Sequence, residues 1–70
     1  MSDARQAIAV AREAGAEEHA VGTLRAAEAY LDSAQRKLSE RAYGQARRDA
    51  LQAKDKALEA LSAVESYRPQ

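Results

Sequence analysis

Hydrophobic residues recur along this chain at intervals of three and four, the spacing of one face of an α-helix. The most regular series in the first half consists of Leu24, Ala27, Leu31, Ala34 and Leu38. It predicts a helix over about residues 23–40, with Thr23 as N-cap because its hydroxyl can accept a hydrogen bond from an unpaired backbone N–H. No stretch shows the strict alternation of apolar and polar residues that is typical of a half-buried strand.

A second series with the same spacing follows in the later half of the chain. Its members are Tyr43, Ala46, Ala50, Ala53, Ala57, Ala60, Val64 and Tyr67, and Leu51, Leu58 and Leu61 widen the stripe on one flank. It predicts a helix over about residues 43–67, with Pro69 beyond its end. Because the turn at residues 41–42 is short, the two helices should form an antiparallel hairpin. The later helix would be roughly 36 Å long and the earlier one roughly 27 Å, which leaves an overhang.

The N-terminal segment carries a shorter helical pattern. Ala4, Ala7, Ile8 and Ala11 recur at helical spacing. They predict a helix over about residues 3–14, opened by a capping box between Asp3 and Gln6 and closed at Gly15. The connection at residues 15–22 holds two of the three glycines and leaves room for one helical turn at residues 16–19. We therefore expect one all-α domain over residues 1–70, with three helices and the first packed beside the hairpin.

Composition favours an extended helical hairpin over a compact globule. Alanine accounts for 18 of the 32 hydrophobic residues, and the large aliphatic residues are only six leucines, three valines and one isoleucine. Alanine has the highest helix propensity and its small side chain lets helices approach closely. A narrow Ala/Leu seam can therefore pack within one chain or between chains, which is also compatible with a homo-oligomer.

Other functional classes lose support from what the composition lacks. No apolar run reaches the roughly 18 residues of a transmembrane segment. No apolar segment follows a basic start, as it would in a secretory signal peptide. Cysteine is absent, which removes disulfides, thiolate chemistry and thiolate-bound metals.

Charge is unevenly distributed, although 11 basic and 11 acidic residues give a net charge of zero. Residues 36–48, here called the basic tip, hold five basic side chains and one acidic side chain. Arg36, Lys37 and Arg41 suit the C-terminus of a helix, where positive charge complements the helix macrodipole. Arg47 and Arg48 fall in the first turns of the next helix, where positive charge is mildly unfavourable, so helix stability does not explain them.

Two accounts of these arginines stay open: ion pairing with Glu40 or Asp49, and the binding of an anionic partner. For the second account the candidate binding residues are Arg36, Lys37, Arg41, Tyr43, Arg47 and Arg48. The partner would be a protein or an anionic cell-wall or lipid component. Nucleic acid is not expected, because only Tyr43 could stack on a base and no basic stripe continues along the rod.

The tyrosines mark positions along the seams rather than catalytic chemistry. Tyr43 and Tyr67 stand at the two ends of the later series, and Tyr30 stands beside the earlier one. We expect all three rings to pack against the core, with each hydroxyl reaching water. An exposed Tyr30 would instead indicate an interface.

The sequence contains no recognisable set of catalytic or metal-binding residues. His19 stands beside Glu17 and Glu18, but adjacent residues of a connection seldom converge on one ion, so no metal site is expected. The serines have no nearby histidine base, and Gly44 has no second glycine with which to form a phosphate-binding loop. No enzyme activity, catalytic residue or cofactor is therefore predicted.

Two segments together carry a family resemblance, AREAGAEEHAVGTLRAAEAYLDSAQRKL and YGQARRDALQAKDKALEAL. They resemble the bacterial family called domain of unknown function 4398. The matching positions are Gly15, Ala16, Ala20, Leu24, Ala27, Leu31, Ala34, Leu38, Tyr43, Ala46, Arg47, Ala50, Ala53 and Ala57. The chain departs from the family pattern at Val21 and Gly22, where a proline often follows the alanine. It departs again at Arg41 and Ala42, where Gly-Asp often precedes the tyrosine.

This resemblance implies a protein of the bacterial cell envelope. Such a protein is typically a periplasmic lipoprotein, or a segment that precedes an OmpA-like peptidoglycan-binding domain, and its lipid-attachment cysteine would have been trimmed ahead of residue 2. The resemblance implies no enzyme activity and no functional residues. A rod with a basic tip would then act as a spacer or docking module between membrane and wall.

The alternative is a cytosolic protein–protein interaction module. The series Tyr43, Ala46, Ala50 and Ala53 also resembles part of a tetratricopeptide repeat, in which paired helices bind a peptide in a groove. Against this alternative, 70 residues hold at most one such helix pair and one further helix, whereas stable stacks usually need about three repeats.

Overall fold

A computed structural model describes residues 2–66, and within them the chain folds into four α-helices. In chain order they are α1 (Ser2–Glu13), α2 (Ala16–His19), α3 (Val21–Ser39) and α4 (Tyr43–Ser66). The described residues contain no strand, which confirms the all-α prediction. The count exceeds the three expected helices because the connection between α1 and α3 contains α2, a single helical turn of four residues.

Gly15 bends the chain between α1 and α2 by adopting a left-handed conformation, with φ of 105°. Its N–H donates to the Arg12 carbonyl at 3.0 Å, and its own carbonyl accepts from the N–H of Glu18 at 3.0 Å. A Cβ atom would strain this conformation, whereas glycine adopts it readily. The glycine that marks the end of the first helix in the sequence is therefore the point at which the chain changes direction.

The start of α3 lies earlier than the sequence indicated. Ala20 is the N-cap, and the N–H of Leu24 donates to its carbonyl at 2.9 Å. Thr23 therefore lies inside the first turn, and the prediction that it caps the helix is wrong. The reason is that Ala20, with φ of −145°, already leaves the helical conformation and separates α2 from α3 by one residue.

The capping box predicted for α1 does not form among the described residues. Asp3 lies within the first turn of the helix, and no side-chain hydrogen bond joins it to Gln6 in this part of the chain. Its carboxylate instead faces the Nζ of Lys54 on α4 at 3.9 Å. A contact between two helices has taken the place of a local cap.

α3 and α4 pack as an antiparallel hairpin, as the sequence predicted, and α1 lies against both of them. Asp3 near the start of α1 faces Lys54, and Gly15 just after its end lies beside Val64. α1 therefore runs parallel to α4 and antiparallel to α3. This direction decides which part of the hairpin α1 covers.

One half of the rod, here called the three-helix end, comprises residues 2–33 and 52–66 and holds the larger core side chains. Ile8, Leu24 and Val64 are at most 5% exposed, and Leu31 and Leu61 pack against them partly buried. The alanines between them have no exposed surface: Ala11, Ala16, Ala27, Ala57 and Ala60. Because these alanines let the helices approach closely, a few large side chains suffice to fill this core.

Residues 34–51, here called the two-helix end, consist of the hairpin alone. α1 has 12 residues against 24 in α4, so it covers about 18 Å of a helix that is about 36 Å long. Ala34 and Ala46 are buried here between α3 and α4, whereas Leu38 and Leu51 are 45% and 56% exposed. The apolar series of α3 continues to Leu38, but the helix that would cover it does not reach that far.

Candidate functional site

The turn at residues 40–42 positions the basic tip. The N–H of Ala42 donates to the Lys37 carbonyl at 2.8 Å, and the N–H of Arg41 donates to the Leu38 carbonyl at 3.0 Å. This pair of bonds forms the Schellman motif that ends many helices, and its left-handed position is usually glycine. Here the left-handed residue is Arg41, with φ of 62°.

Arg41 is a strained choice at this position. The left-handed conformation costs a residue with a Cβ atom about 1–2 kcal/mol. Because helix termination alone would favour glycine, the exposed arginine side chain is available for another role.

The basic tip contains little internal charge pairing. Arg36 faces the Asp32 carboxylate at 3.6 Å, one turn earlier on α3. The other four cations form no ion pair with any described carboxylate: Lys37, Arg41, Arg47 and Arg48. The tip is therefore a concentrated positive charge that the described part of the chain does not neutralise.

Pairing of Arg47 and Arg48 with Glu40 or Asp49, which the sequence left open, does not occur among residues 2–66. Asp49 instead accepts a hydrogen bond from the Ser33 hydroxyl at 2.7 Å, across the hairpin. This bond engages Asp49 with α3, and Glu40 lies exposed in the turn. Of the two accounts of the arginines, the internal one is thus the weaker.

Two tyrosines are more exposed than the sequence predicted. Tyr43 is 60% exposed and Tyr30 is 36% exposed, so the expectation of buried rings is wrong for both. Tyr43 is the first residue of α4 and lies beyond the reach of α1, so no third helix covers its ring. Tyr67, expected to pack at the far end of the seam, lies outside the described residues. An exposed tyrosine ring is a typical contact residue of protein interfaces.

A groove, here called the tip groove, opens along the hairpin where α1 begins. Its volume is about 360 Å³, and it is lined by Asp3, Ala4, Leu38, Tyr43, Ala46, Arg47, Ala50, Leu51 and Lys54. Leu38 on α3 and Tyr43 and Leu51 on α4 contribute exposed apolar surface. Arg47 and Lys54 are seven residues apart and so lie on the same face of α4. The groove thus combines apolar surface with two cations.

The tip groove contains only part of the predicted set of residues. Tyr43 and Arg47 line it. The other four predicted residues lie outside its lining: Arg36, Lys37, Arg41 and Arg48. Sequence reasoning missed Leu38, Leu51 and Lys54 as site residues. No local signal identifies them, because whether Leu38, Leu51 and Lys54 line a groove depends on which part of the hairpin α1 covers.

Side chains that could hold a metal ion do not cluster in the described part of the chain. His19 lies 4.0 Å from a carboxylate oxygen of Glu18, whereas Glu17 pairs with Arg12 at 3.0 Å. Within residues 2–66, no helix is both long enough and apolar enough to cross a bilayer. Among the described residues, the basic tip and its groove bring exposed cations and apolar side chains together.

Comparison with known proteins adds a family and no activity. No curated protein matches the chain, and no solved structure matches it. A family model matches residues 1–68, which include both the three-helix end and the basic tip. Since this match covers nearly the whole chain, the protein belongs to the family described as Domain of unknown function (DUF4398).

Proposed function

We propose that this domain is a non-catalytic helical docking module of the bacterial cell envelope, which engages an anionic partner through its basic tip. The observation that carries the proposal is the set of four tip cations without a carboxylate partner among the described residues. Like charges held on one end of a rod raise its electrostatic free energy. A negatively charged partner would lower that free energy, and helix capping does not do so for Arg47 and Arg48.

Two further features of the tip support a binding role. Tyr43 leaves its ring exposed next to the cations, and aromatic side chains together with arginine are typical of interface anchors. Arg41 occupies a left-handed position where glycine would be more stable. The left-handed Arg41 lowers the stability of the isolated tip, and the exposed ring of Tyr43 offers apolar surface that a partner can cover.

The envelope location is supported by the resemblance described above, since proteins with this pattern are typically found there. The rod shape fits the same role. The three-helix end holds the large core side chains and can act as a rigid base, while the two-helix end projects from it. A spacer that presents a charged tip to an anionic component of the envelope, whether a protein, a cell-wall polymer or a lipid headgroup, would have this construction.

The test is cosedimentation of the protein with purified peptidoglycan sacculi and, separately, with phosphatidylglycerol vesicles. The triple variant Arg41→Ala, Arg47→Ala, Arg48→Ala should bind at least about tenfold more weakly, because each cation near an anionic surface contributes roughly 1 kcal/mol. Binding of the unaltered protein should also weaken as salt is raised, since salt screens exposed charges.

A matched control removes three cations from the three-helix end by Arg5→Ala, Arg25→Ala and Lys56→Ala. It changes the net charge by the same amount as the tip variant. If the two triple variants lose binding equally, the attraction depends on net charge rather than on the tip, and the proposal fails. It also fails if neither variant loses binding.

The alternative function is a cytosolic interaction module, and the observation that favours it is the tip groove between paired helices. Intact mass and N-terminal mapping of the native product distinguish the two locations. A diacylated or triacylated cysteine ahead of Ser2 would support the envelope. An unmodified terminus at Met1 or Ser2 would contradict the lipoprotein and favour the cytosolic module.

A further inference from the structure

The tip groove continues the surface on which α1 lies. α1 packs against both helices of the hairpin, and its residues Asp3 and Ala4 form one end of the groove. Tyr43 at the turn and Lys54 at that end are eleven residues apart on α4, which is about 16 Å or three helical turns. The hairpin therefore offers a second helix-sized site in line with the one that α1 occupies.

α1 shows what kind of segment this surface accepts. It buries a stripe of small and branched side chains, Ala4, Ile8 and Ala11, each at most 5% exposed. Its Asp3 carboxylate faces the Nζ of Lys54 at the edge of the contact. On the other side of α1, Arg12 pairs with Glu28 of α3. The segment that fits is therefore an amphipathic helix with an alanine and aliphatic stripe and an acidic edge on the side that faces α4.

The tip groove repeats the chemistry of the surface under α1. Ala46 and Ala50 leave room for the close approach of another backbone, and Leu38 and Leu51 offer apolar surface on the two helices. Arg47 lies two turns before Lys54 on the same face of α4. Lys54 already faces a carboxylate, whereas Arg47 has none among residues 2–66.

Deepening the proposed function, on which this inference rests, we propose that the anionic partner is an amphipathic α-helix of another protein. This helix lies in the tip groove in line with α1. It buries an alanine and aliphatic stripe against Leu38 and Leu51, and it places a carboxylate on Arg47. It completes at the two-helix end the three-helix packing that α1 provides at the other end.

Shape and charge favour this occupant over two others. A flat anionic membrane can contact the exposed cations, but it offers no ridge that fills a groove between two helices. A second copy bound by its own tip groove about a twofold axis would bring the two basic tips together, and like charges repel. An acidic helix meets both the groove and its cations.

The experiment titrates the full native chain with a capped, stapled helical peptide and follows backbone amide chemical shifts by NMR. The peptide carries an alanine and isoleucine stripe at the spacing of Ala4, Ile8 and Ala11, with glutamates beside the stripe. The staple preforms the helix, which a short free peptide would populate poorly. A matched peptide has glutamine in place of each glutamate. The largest shifts are expected at Leu38 and Leu51.

Two variants of the protein test the role of Arg47. Arg47→Glu should weaken binding of the glutamate peptide about tenfold, and Arg48→Glu should weaken it less than about twofold. The two variants change the net charge equally, but Arg47 lines the groove and Arg48 does not. The glutamine peptide should bind the unaltered protein more weakly than the glutamate peptide does. Its affinities for the unaltered protein and for Arg47→Glu should differ less than those of the glutamate peptide.

Each remaining outcome decides against the inference. Equal losses for Arg47→Glu and Arg48→Glu would reduce the effect to long-range attraction. Failure of the peptide to bind would overturn the inference, as would shifts that avoid Leu38 and Leu51. If the protein alone dimerises in sedimentation equilibrium, and the same amide signals shift as its concentration is raised, the groove would be assigned to a second copy. If sacculi or vesicles still bind through the tip arginines in any of these cases, the proposed function stands and only the helical partner is wrong.

Discussion

The two ends of this rod share one alanine seam and differ in what covers it. At the three-helix end, Ala57 and Ala60 have no exposed surface, and Ile8 of α1 is buried beside them. At the two-helix end, Ala34 is buried just as fully between α3 and α4, yet Leu38 is 45% exposed. An alanine seam is thus enough to bring two helices together, whereas burial of large apolar side chains requires a third helix.

The ends also differ in how their charges are arranged. At the three-helix end Arg12 pairs with both Glu17 and Glu28, and Lys56 pairs with Glu59 at 3.2 Å, whereas only Arg5 and Arg25 have no carboxylate partner among the described residues. The basic tip has four cations without such a partner among the described residues. The large buried side chains are therefore concentrated at one end of the molecule, and most of the cations without a carboxylate partner lie at the other.

The largest expected effect comes from removing a core leucine at the three-helix end. Leu24 is 2% exposed, and Leu24→Ala should lower the free energy of unfolding by about 2–5 kcal/mol through lost burial and a cavity. The same substitution at Leu51, which is 56% exposed, should change it by less than about 0.5 kcal/mol. Urea unfolding followed by circular dichroism measures both values.

If Leu24→Ala shows no cooperative unfolding transition at all, the variant is strongly destabilised, which agrees with the prediction. Comparable losses for the leucines at the two ends would break the comparison, because they would show that Leu51 is covered in solution.

An intermediate effect is expected from enlarging the alanine seam at the two-helix end. Ala34 has no exposed surface, and Ala34→Leu should destabilise the protein by about 1–3 kcal/mol because the hairpin has no space for the larger side chain. Ala29→Leu, at an exposed position of α3, is the matched control. Leucine and alanine both favour helices, so this control should be nearly neutral in thermal unfolding. A neutral Ala34→Leu would mean that the helices at this end are loosely apposed.

The smallest effect has the opposite sign and sharpens the contrast in function. Arg41→Gly should raise the free energy of unfolding by about 1 kcal/mol, since glycine avoids the strain of the left-handed position. Ser39→Gly, at the last residue of α3 and outside the left-handed region, should not raise it. Thermal unfolding of the two variants measures the difference. If Arg41→Gly is destabilising, the arginine contributes to the fold, and its place in the binding argument is lost.

The candidate site was only partly predictable from sequence. Features that depend on neighbouring residues could be predicted, whereas features that depend on a distant helix could not. The excess of positive charge is a local property, so Arg47 could be named as a candidate from its position in the first turns of a helix. Leu38 and Leu51 could not be named as groove residues, because their exposure depends on a helix far away in the chain. The spacing also places Tyr43 at the tip, but its exposure could not be predicted, because it too depends on which part of the hairpin α1 covers.

The sequence by itself determined the helices and the hairpin. Residue spacing and helix propensity are properties of a few neighbouring residues. The left-handed conformation of Gly15 likewise depends only on the local backbone. Only the tertiary structure decided which surfaces are covered. α1 runs parallel to α4 with Asp3 beside Lys54, so α1 covers only about half the length of the hairpin. Burial depends on the length and placement of a distant segment, and no local pattern around Leu38, Tyr43 or Leu51 contains that information.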